Sequence, residues 1–244
     1  MHPALCDKIL SLLPFDDIQV SSALDFGCGT GSLIGELAHR LPRATELIGL
    51  DAGETEIAQA RAALPHLRFV CERFVKSLPF ADASFDLLVT VDTLECVPDQ
   101  QALLQEFARV LRPGGRIICA HWDWDTQVYA SSQPESVRKL VHAFCDWKQT
   151  WMDASDGQTG RKLWGLFGSN GCFSGQMDVF CLLETQYAPG HYGYQRLKDL
   201  ADLVAEGSID SQVYAEVITD MESKARQANY FYSLNSYIYT GTRI

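Results

Sequence analysis

At 244 residues, 47% of them hydrophobic and with a formal net charge of −11, the chain suffices for one sizeable α/β domain with a small cap. No apolar run nears the roughly 18 residues of a membrane span, the start lacks a signal-like basic and apolar pair of segments, and no basic stripe is offered to phosphates. The expected setting is therefore cytoplasmic, with no membrane and no nucleic acid as partner. The eight cysteines show no C-x-x-C pair at zinc-ligand spacing, so no metal site is expected and the thiols read as reduced, Cys119 and Cys181 within apolar runs.

In chain order, residues 5–13 read as a short helix stopped by Pro14. Residues 23–26 form a first strand, and 32–40 its crossover helix, ended near Pro42. A second strand covers 46–50 and ends at Asp51, a helix follows over 55–64, and residues 68–71 make a third strand. Residues 85–91 read as a fully buried fourth strand and 100–111 as an amphipathic helix. Pro113-Gly114-Gly115 breaks that helix before a fifth strand at 116–120. Strands alternating with helices predict βαβ units and a parallel sheet. Beyond His121 the chain turns polar and aromatic, with its clearest helix at 137–151. Two further strands, 177–187 and 230–242, flank helices at 194–206 and 213–227. The expected organisation is a single domain, 1–244, in which 1–120 bind a cofactor and 121–176 and 188–229 form a lid and substrate-binding segments.

Four segments carry chemistry. Ala23-Leu24-Asp25-Phe26 runs into Gly27-Cys28-Gly29-Thr30-Gly31, where glycines let the backbone turn sharply and approach a ligand closely. Ser32 stands where a dinucleotide fingerprint has glycine, and Asp25 points to a ligand with a cationic or hydroxyl-rich end. Asp51 ends the second strand about 20 residues further on, where an acid grips two ribose hydroxyls. Either acid alone would read as a helix N-cap; their placement at two strand ends points to a ligand. The third segment is Lys76-Ser77-Leu78-Pro79-Phe80-Ala81-Asp82-Ala83-Ser84-Phe85-Asp86. The fourth runs from Leu94-Glu95-Cys96-Val97-Pro98-Asp99 to Arg109-Val110-Leu111-Arg112-Pro113-Gly114-Gly115.

On these segments the first half of the chain resembles the class I S-adenosylmethionine-dependent methyltransferases, in their small-molecule, type 11-like branch. The resemblance implies a doubly wound, Rossmann-like sheet of seven strands, the last antiparallel, with a helical lid inserted after strand five. It implies S-adenosylmethionine as cofactor and S-adenosylhomocysteine as product. Gly27, Cys28, Gly29 and Gly31 would pass beneath the methionine moiety, Asp25 would meet its ammonium, and Asp51 the ribose. Ala52 would line the adenine, with Phe74 and Val75 at the edge where relatives often carry an acid and where Glu72 lies nearby. Thr90, Val91 and Asp92 would lie beside the sulfonium. Cys96 stands where many relatives have histidine.

His121-Trp122-Asp123-Trp124-Asp125-Thr126 and Tyr230-Phe231-Tyr232-Ser233-Leu234-Asn235-Ser236-Tyr237 resemble runs in a subset of small-molecule methyltransferases. Trp122, Trp124, Trp147, Trp151, Trp164, Tyr192 and Tyr194 nominate an aromatic pocket, each ring also having a reading as lid core. Aromatic faces attract cations and stack flat rings, so the expected acceptor is a small aromatic or heteroaromatic molecule, methylated on nitrogen in preference to oxygen. His121 and Asp123 are the leading bases, followed by Asp125 and His191, with Asp123 and Asp125 also available to orient an amine. Two alternatives stay open: a sulfur or metalloid methyltransferase using Cys96, Cys145 and Cys172, and a catalytically silent binding subunit. Monomer and homodimer are both open.

Overall fold

The computed structural model of the protein describes residues 1–13, 19–42 and 45–244. After helix α1 (Pro3–Ser11), strands and helices alternate as β1 (Ser22–Phe26), α2 (Ser32–Arg40), β2 (Glu46–Asp51), α3 (Glu54–Ala63), β3 (Arg68–Cys71), β4 (Phe85–Val91), α4 (Gln100–Val110) and β5 (Leu111–Trp122). The second half adds a two-residue β6 (Val128–Tyr129), α5 (Pro134–Cys145), α6 (Thr159–Asn170), β7 (Phe173–Glu184), α7 (Tyr192–Ala205), α8 (Ser211–Arg226) and β8 (Tyr232–Arg243). The proline expected to stop the first helix, Pro14, lies outside the described residues.

The sheet runs β3-β2-β1-β4-β5-β8, with β7 on the far side of β8 and β6 paired to the start of β8. Strands β1 to β5 pair in parallel, whereas β8 is antiparallel to both β5 and β7. Alternation along the strands divides the core. Leu87, Val89, Ile118, Ala120 and Trp122 pack to one face. Leu88, Ile117 and Cys119 pack to the other, against Leu103, Phe107 and Phe167 of α4 and α6. Because both faces are covered, the parallel strands read as continuous apolar runs.

Two of the motif segments do structural work. Arg109 donates to the carbonyls of Leu78 and Phe80 and to Glu106 and Asp82, tying the loop before β4 to α4. Arg112 Nη1 lies 2.6 Å from Asp86 Oδ1, while Asp86 Oδ2 accepts from the backbone N–H of Ser21 and Ser22. These bonds outweigh the cost of burial and hold the Asp86 carboxyl below its usual range.

The structure departs from the sequence-based reading at four places. The Pro113-Gly114-Gly115 run does not precede β5 but bulges within it, where the register against β4 shifts between Phe85 and Leu87. Helix α5 ends at Cys145, so Trp147 and Trp151 lie beyond it. Strand β7 begins at Phe173 because it follows β8 along its whole length. Helix α6 has no counterpart in the reading, since Gly160, Gly165 and Gly168 depress its local propensity while Leu163 and Phe167 bury it.

Candidate active site

The carboxyl ends of β1, β2 and β4 open into a cleft of about 490 Å³. The turn after β1 reaches it through left-handed glycines. Gly27 has φ 76°, and a Cβ there would stand 2.0 Å from Thr93 Oγ1, so only glycine lets the loop after β4 lie against it. Gly29 has φ 51° and nothing within 4 Å of where its Cβ would be, which leaves its backbone open to a ligand. Asp51 stabilises this arrangement: its Oδ2 accepts from the N–H of Gly29 and its Oδ1 from that of Gly53, each at 2.8 Å. Each oxygen retains a lone pair for a further donor.

Among the residues expected to hold a cofactor, Gly27, Asp51, Ala52, Phe74, Val91 and Asp92 line the cleft. Asp25, Cys28, Gly29, Gly31, Val75 and Thr90 do not. Val75 is 76% exposed, whereas Thr90 and Cys28 are buried. Asp25 is 2% exposed, takes the backbone N–H of Ile34 at the start of α2, and leaves its Oδ2 without a partner. Burial pushes its carboxyl up to about 7. Glu72, placed near the adenine edge by the reading but not assigned a role, also lines the cleft, and the reading missed Arg73, Thr93 and Asp153. Glu72 was legible as the acid directly following a third strand. Asp153 was not: it reaches the cleft by pairing with Arg73 at 2.7 Å from 80 residues away.

A second, smaller cavity of about 180 Å³ shares Asp92 and Trp151 with the cleft. Trp124, Phe144, Trp147 and Tyr192 wall it, so four of the nominated rings, Trp124, Trp147, Trp151 and Tyr192, do come together. Their faces already hold a cation. The Arg196 guanidinium carbon lies 4.7 Å from the Tyr192 ring centre, 5.6 Å from Phe144 and 5.8 Å from Trp124. Trp122 is instead core, packed on Phe180 and Tyr192. Trp164 is 58% exposed and Tyr194 packs at a tilt against Tyr187.

The candidate bases separate. Asp123 is fully buried and bidentate to Arg161, at 2.5 and 2.6 Å, away from both cavities. Asp125 joins the same cluster through Arg161 and His142, and His191 lies 3.6 Å from Glu184. These acids pin α5 and α6 to the end of β5. His121 is different. It is fully buried with its Nδ1 2.7 Å from the Trp122 carbonyl, and it sits beside Asp92 and Glu95. Burial raises the carboxyls of both acids, that of Glu95 to about 7. The sequence offered Glu95 only as part of a motif, with no sign that it faces the acceptor side.

The three cysteines considered for metalloid chemistry are dispersed. Cys96 lines the cleft, Cys145 the aromatic cavity, and Cys172 packs in the core beside α6. Burial pushes both Cys96 and Cys145 up to about 12, so they are protonated thiols at neutral pH.

Known proteins place this geometry. The family profile described as "Methyltransferase domain" matches residues 24–119, which span β1 through most of β5. Residues 24–119 thus carry a methyltransferase domain by similarity. Proteins similar to this chain include the demethylmenaquinone methyltransferase of Lactococcus lactis, 36% identical over 108 residues, or 42% of this chain and 42% of that one. The trans-aconitate 2-methyltransferase of Deinococcus radiodurans is 41% identical over 96 residues, 39% of this chain and 35% of that one. The match thus spans less than half the length of either relative. A putative methyltransferase of Bacillus halodurans shares the fold across 98% of both chains, with TM-score 0.64 at 14% identity. No described helix is long and apolar enough to cross a membrane.

Proposed function

We propose that this chain transfers a methyl group from S-adenosylmethionine to an oxygen or nitrogen atom of a small aromatic or heteroaromatic molecule. The observation that carries the reading is the junction at Asp92 and Trp151, where the cofactor cleft meets an aromatic cavity at the carboxyl end of β4. The fit to the cofactor is supported by Asp51, which lines the cleft with lone pairs left for ribose hydroxyls. Its volume is within the roughly 300–1,000 Å³ of small-molecule sites. When bound, S-adenosylmethionine supplies an electrophilic methyl on a sulfonium. The chain's part is to hold the acceptor in line and dry. Trp124, Trp147 and Tyr192 would flank a flat ring, while the paired Arg73 and Asp153 line the cleft.

Arg196 bears on the acceptor atom. Its Nε is buried without a partner, and its charge already occupies the ring faces. A cationic amine would meet that charge, so an amine enters neutral, and an acceptor bearing oxygen donates no competing charge; this favours oxygen over nitrogen. Residues 1–120 serve the cofactor and 121–176 with 188–229 the acceptor. Incubation of the protein with methyl-labelled S-adenosylmethionine and a metabolite extract tests the reading, with label expected in a small organic product alongside S-adenosylhomocysteine. Tight cofactor binding by calorimetry without any labelled product would replace it with the silent binding-subunit reading.

A further inference from the structure

We infer that Asp92, Glu95 and His121 form a binding site for a divalent first-row cation of the Mn²⁺ or Zn²⁺ kind, at the wall of the acceptor cavity. The end of β4, the turn after it and the end of β5 bring one donor atom from each of these side chains to within 4.8 Å of the other two. Ligand bonds of about 2.0–2.2 Å ask for donors within about 4.4 Å of each other, which small side-chain rotations supply.

Each of the three side chains is held by a further bond, as outer partners hold metal ligands, and Asp92 Oδ1 lies 3.5 Å from His121 Nδ1. Trp122 N–H donates to Asp92 Oδ1 at 3.2 Å, and Trp124 Nε1–H donates to Glu95 Oε2 at 3.1 Å. His121 Nδ1 lies 2.7 Å from the Trp122 carbonyl, which can only accept, so Nδ1 carries the proton and Nε2 keeps a free lone pair. That Nε2 is fully buried and has no partner. An imidazole nitrogen left bare in a closed interior is costly unless something accepts its lone pair.

Charge points the same way. Two acidic side chains meet one imidazole, and among the described residues neither acid is in an ion pair with a lysine or arginine. The nearest fixed cation, Arg196, is bonded to Asp199 at 2.8 Å and pressed on three rings. Asp92 also holds φ 59°, a conformation side chains rarely adopt and one that tends to persist where a site requires it. An imidazole with two carboxylates suits Mn²⁺ or Zn²⁺ better than the all-oxygen sets of Mg²⁺ and Ca²⁺. Asp92 and Glu95 both line the acceptor cavity, so the remaining coordination positions are open to water or to an acceptor oxygen. The ion site stands on these residues alone; only its use by an acceptor rests on the methyl-transfer reading.

The test is a titration of the full chain, stripped with chelator, in which the electron paramagnetic resonance signal of free Mn²⁺ reports binding. One Mn²⁺ per chain is expected, displaced by Zn²⁺, with Glu95→Gln and His121→Asn each weakening it at least tenfold. Trp124→Phe, which removes the bond to Glu95 Oε2 and trims the ring packed against Phe144 and Tyr192, is expected to weaken it by about tenfold. Cofactor calorimetry on the same samples reports whether each variant keeps its cleft. No binding of either ion at millimolar concentration overturns the site. So does Mn²⁺ binding that survives both ligand substitutions in proteins that still take up cofactor. Neither result depends on methyl transfer.

Discussion

Asp25 sits 2% exposed at the end of β1, and its ordinary value of 3.8 is raised to about 7 by burial. Between those two values the folded state holds a proton that the unfolded state has lost. Its contribution to stability is therefore complete below pH 3.8 and disappears as pH rises through about 7. Asp25→Asn keeps an acceptor for the Ile34 N–H without an ionisable group. Thermal melts of the two proteins should converge in acid, with the variant the more stable at pH 8, by on the order of 4 kcal/mol at most. A variant melting in parallel with the parent across that range would mean that Asp25 titrates normally. Asp51 is a half-buried acid with both oxygens engaged by loop N–H groups. Asp51→Ala removes these bonds together with the expected ribose contact, and Gly29→Val adds a branched side chain at φ 51°. Calorimetry should find cofactor affinity abolished in both. Unchanged affinity in either would reduce the loop to a structural turn.

At the scale of elements, α6 is fastened at two points of different chemistry. Phe167 stacks on Tyr239 of β8, with ring centres 3.9 Å apart, inside a core that includes Phe173. At its other end Arg161 meets the buried Asp123 side on. Removing the guanidinium leaves a carboxylate in the interior with only the Arg161 backbone N–H as a donor. Arg161→Ala should therefore lower stability by about 1.5–3 kcal/mol, read from urea unfolding. Loss of activity without loss of stability would instead restore Asp123 to a direct role. The strands and helices of the first half were legible almost to the residue, because apolar runs, strand-end acids and the glycine turn are signals contained in short windows. Helix α6 was not, since its glycines weaken the local signal and its burial comes from β8, some 70 residues later.

Over the whole molecule the net charge of −11 sets a field that draws in cations. A cofactor whose sulfonium and ammonium outweigh its carboxylate should associate quickly at low ionic strength and more slowly as salt screens the field. Stopped-flow binding across a salt series checks this, the slowing falling mainly on association. A rate indifferent to salt would mean that the local cleft, not the overall charge, governs entry. The Arg73–Asp153 pair lines that cleft and is about half exposed on both sides. Asp153→Ala should leave stability within about 1 kcal/mol while speeding cofactor release, a change in dissociation rate that the same stopped-flow measurement reads.

The linear chain by itself determined the parallel sheet, the placing of Asp25 and Asp51 at strand ends and the resemblance of residues 24–119 to a methyltransferase domain, because neighbours in sequence produce each of these. Only the tertiary structure decided which aromatic rings meet around one cavity, that Arg196 fills their faces, and that Asp123 turns to Arg161 while His121 turns to Asp92 and Glu95. His121 and Asp123 lie two residues apart, yet they end in different surroundings. Which surroundings each receives depends on a helix and a turn from distant parts of the chain, and pairings of that range leave no trace in a local window.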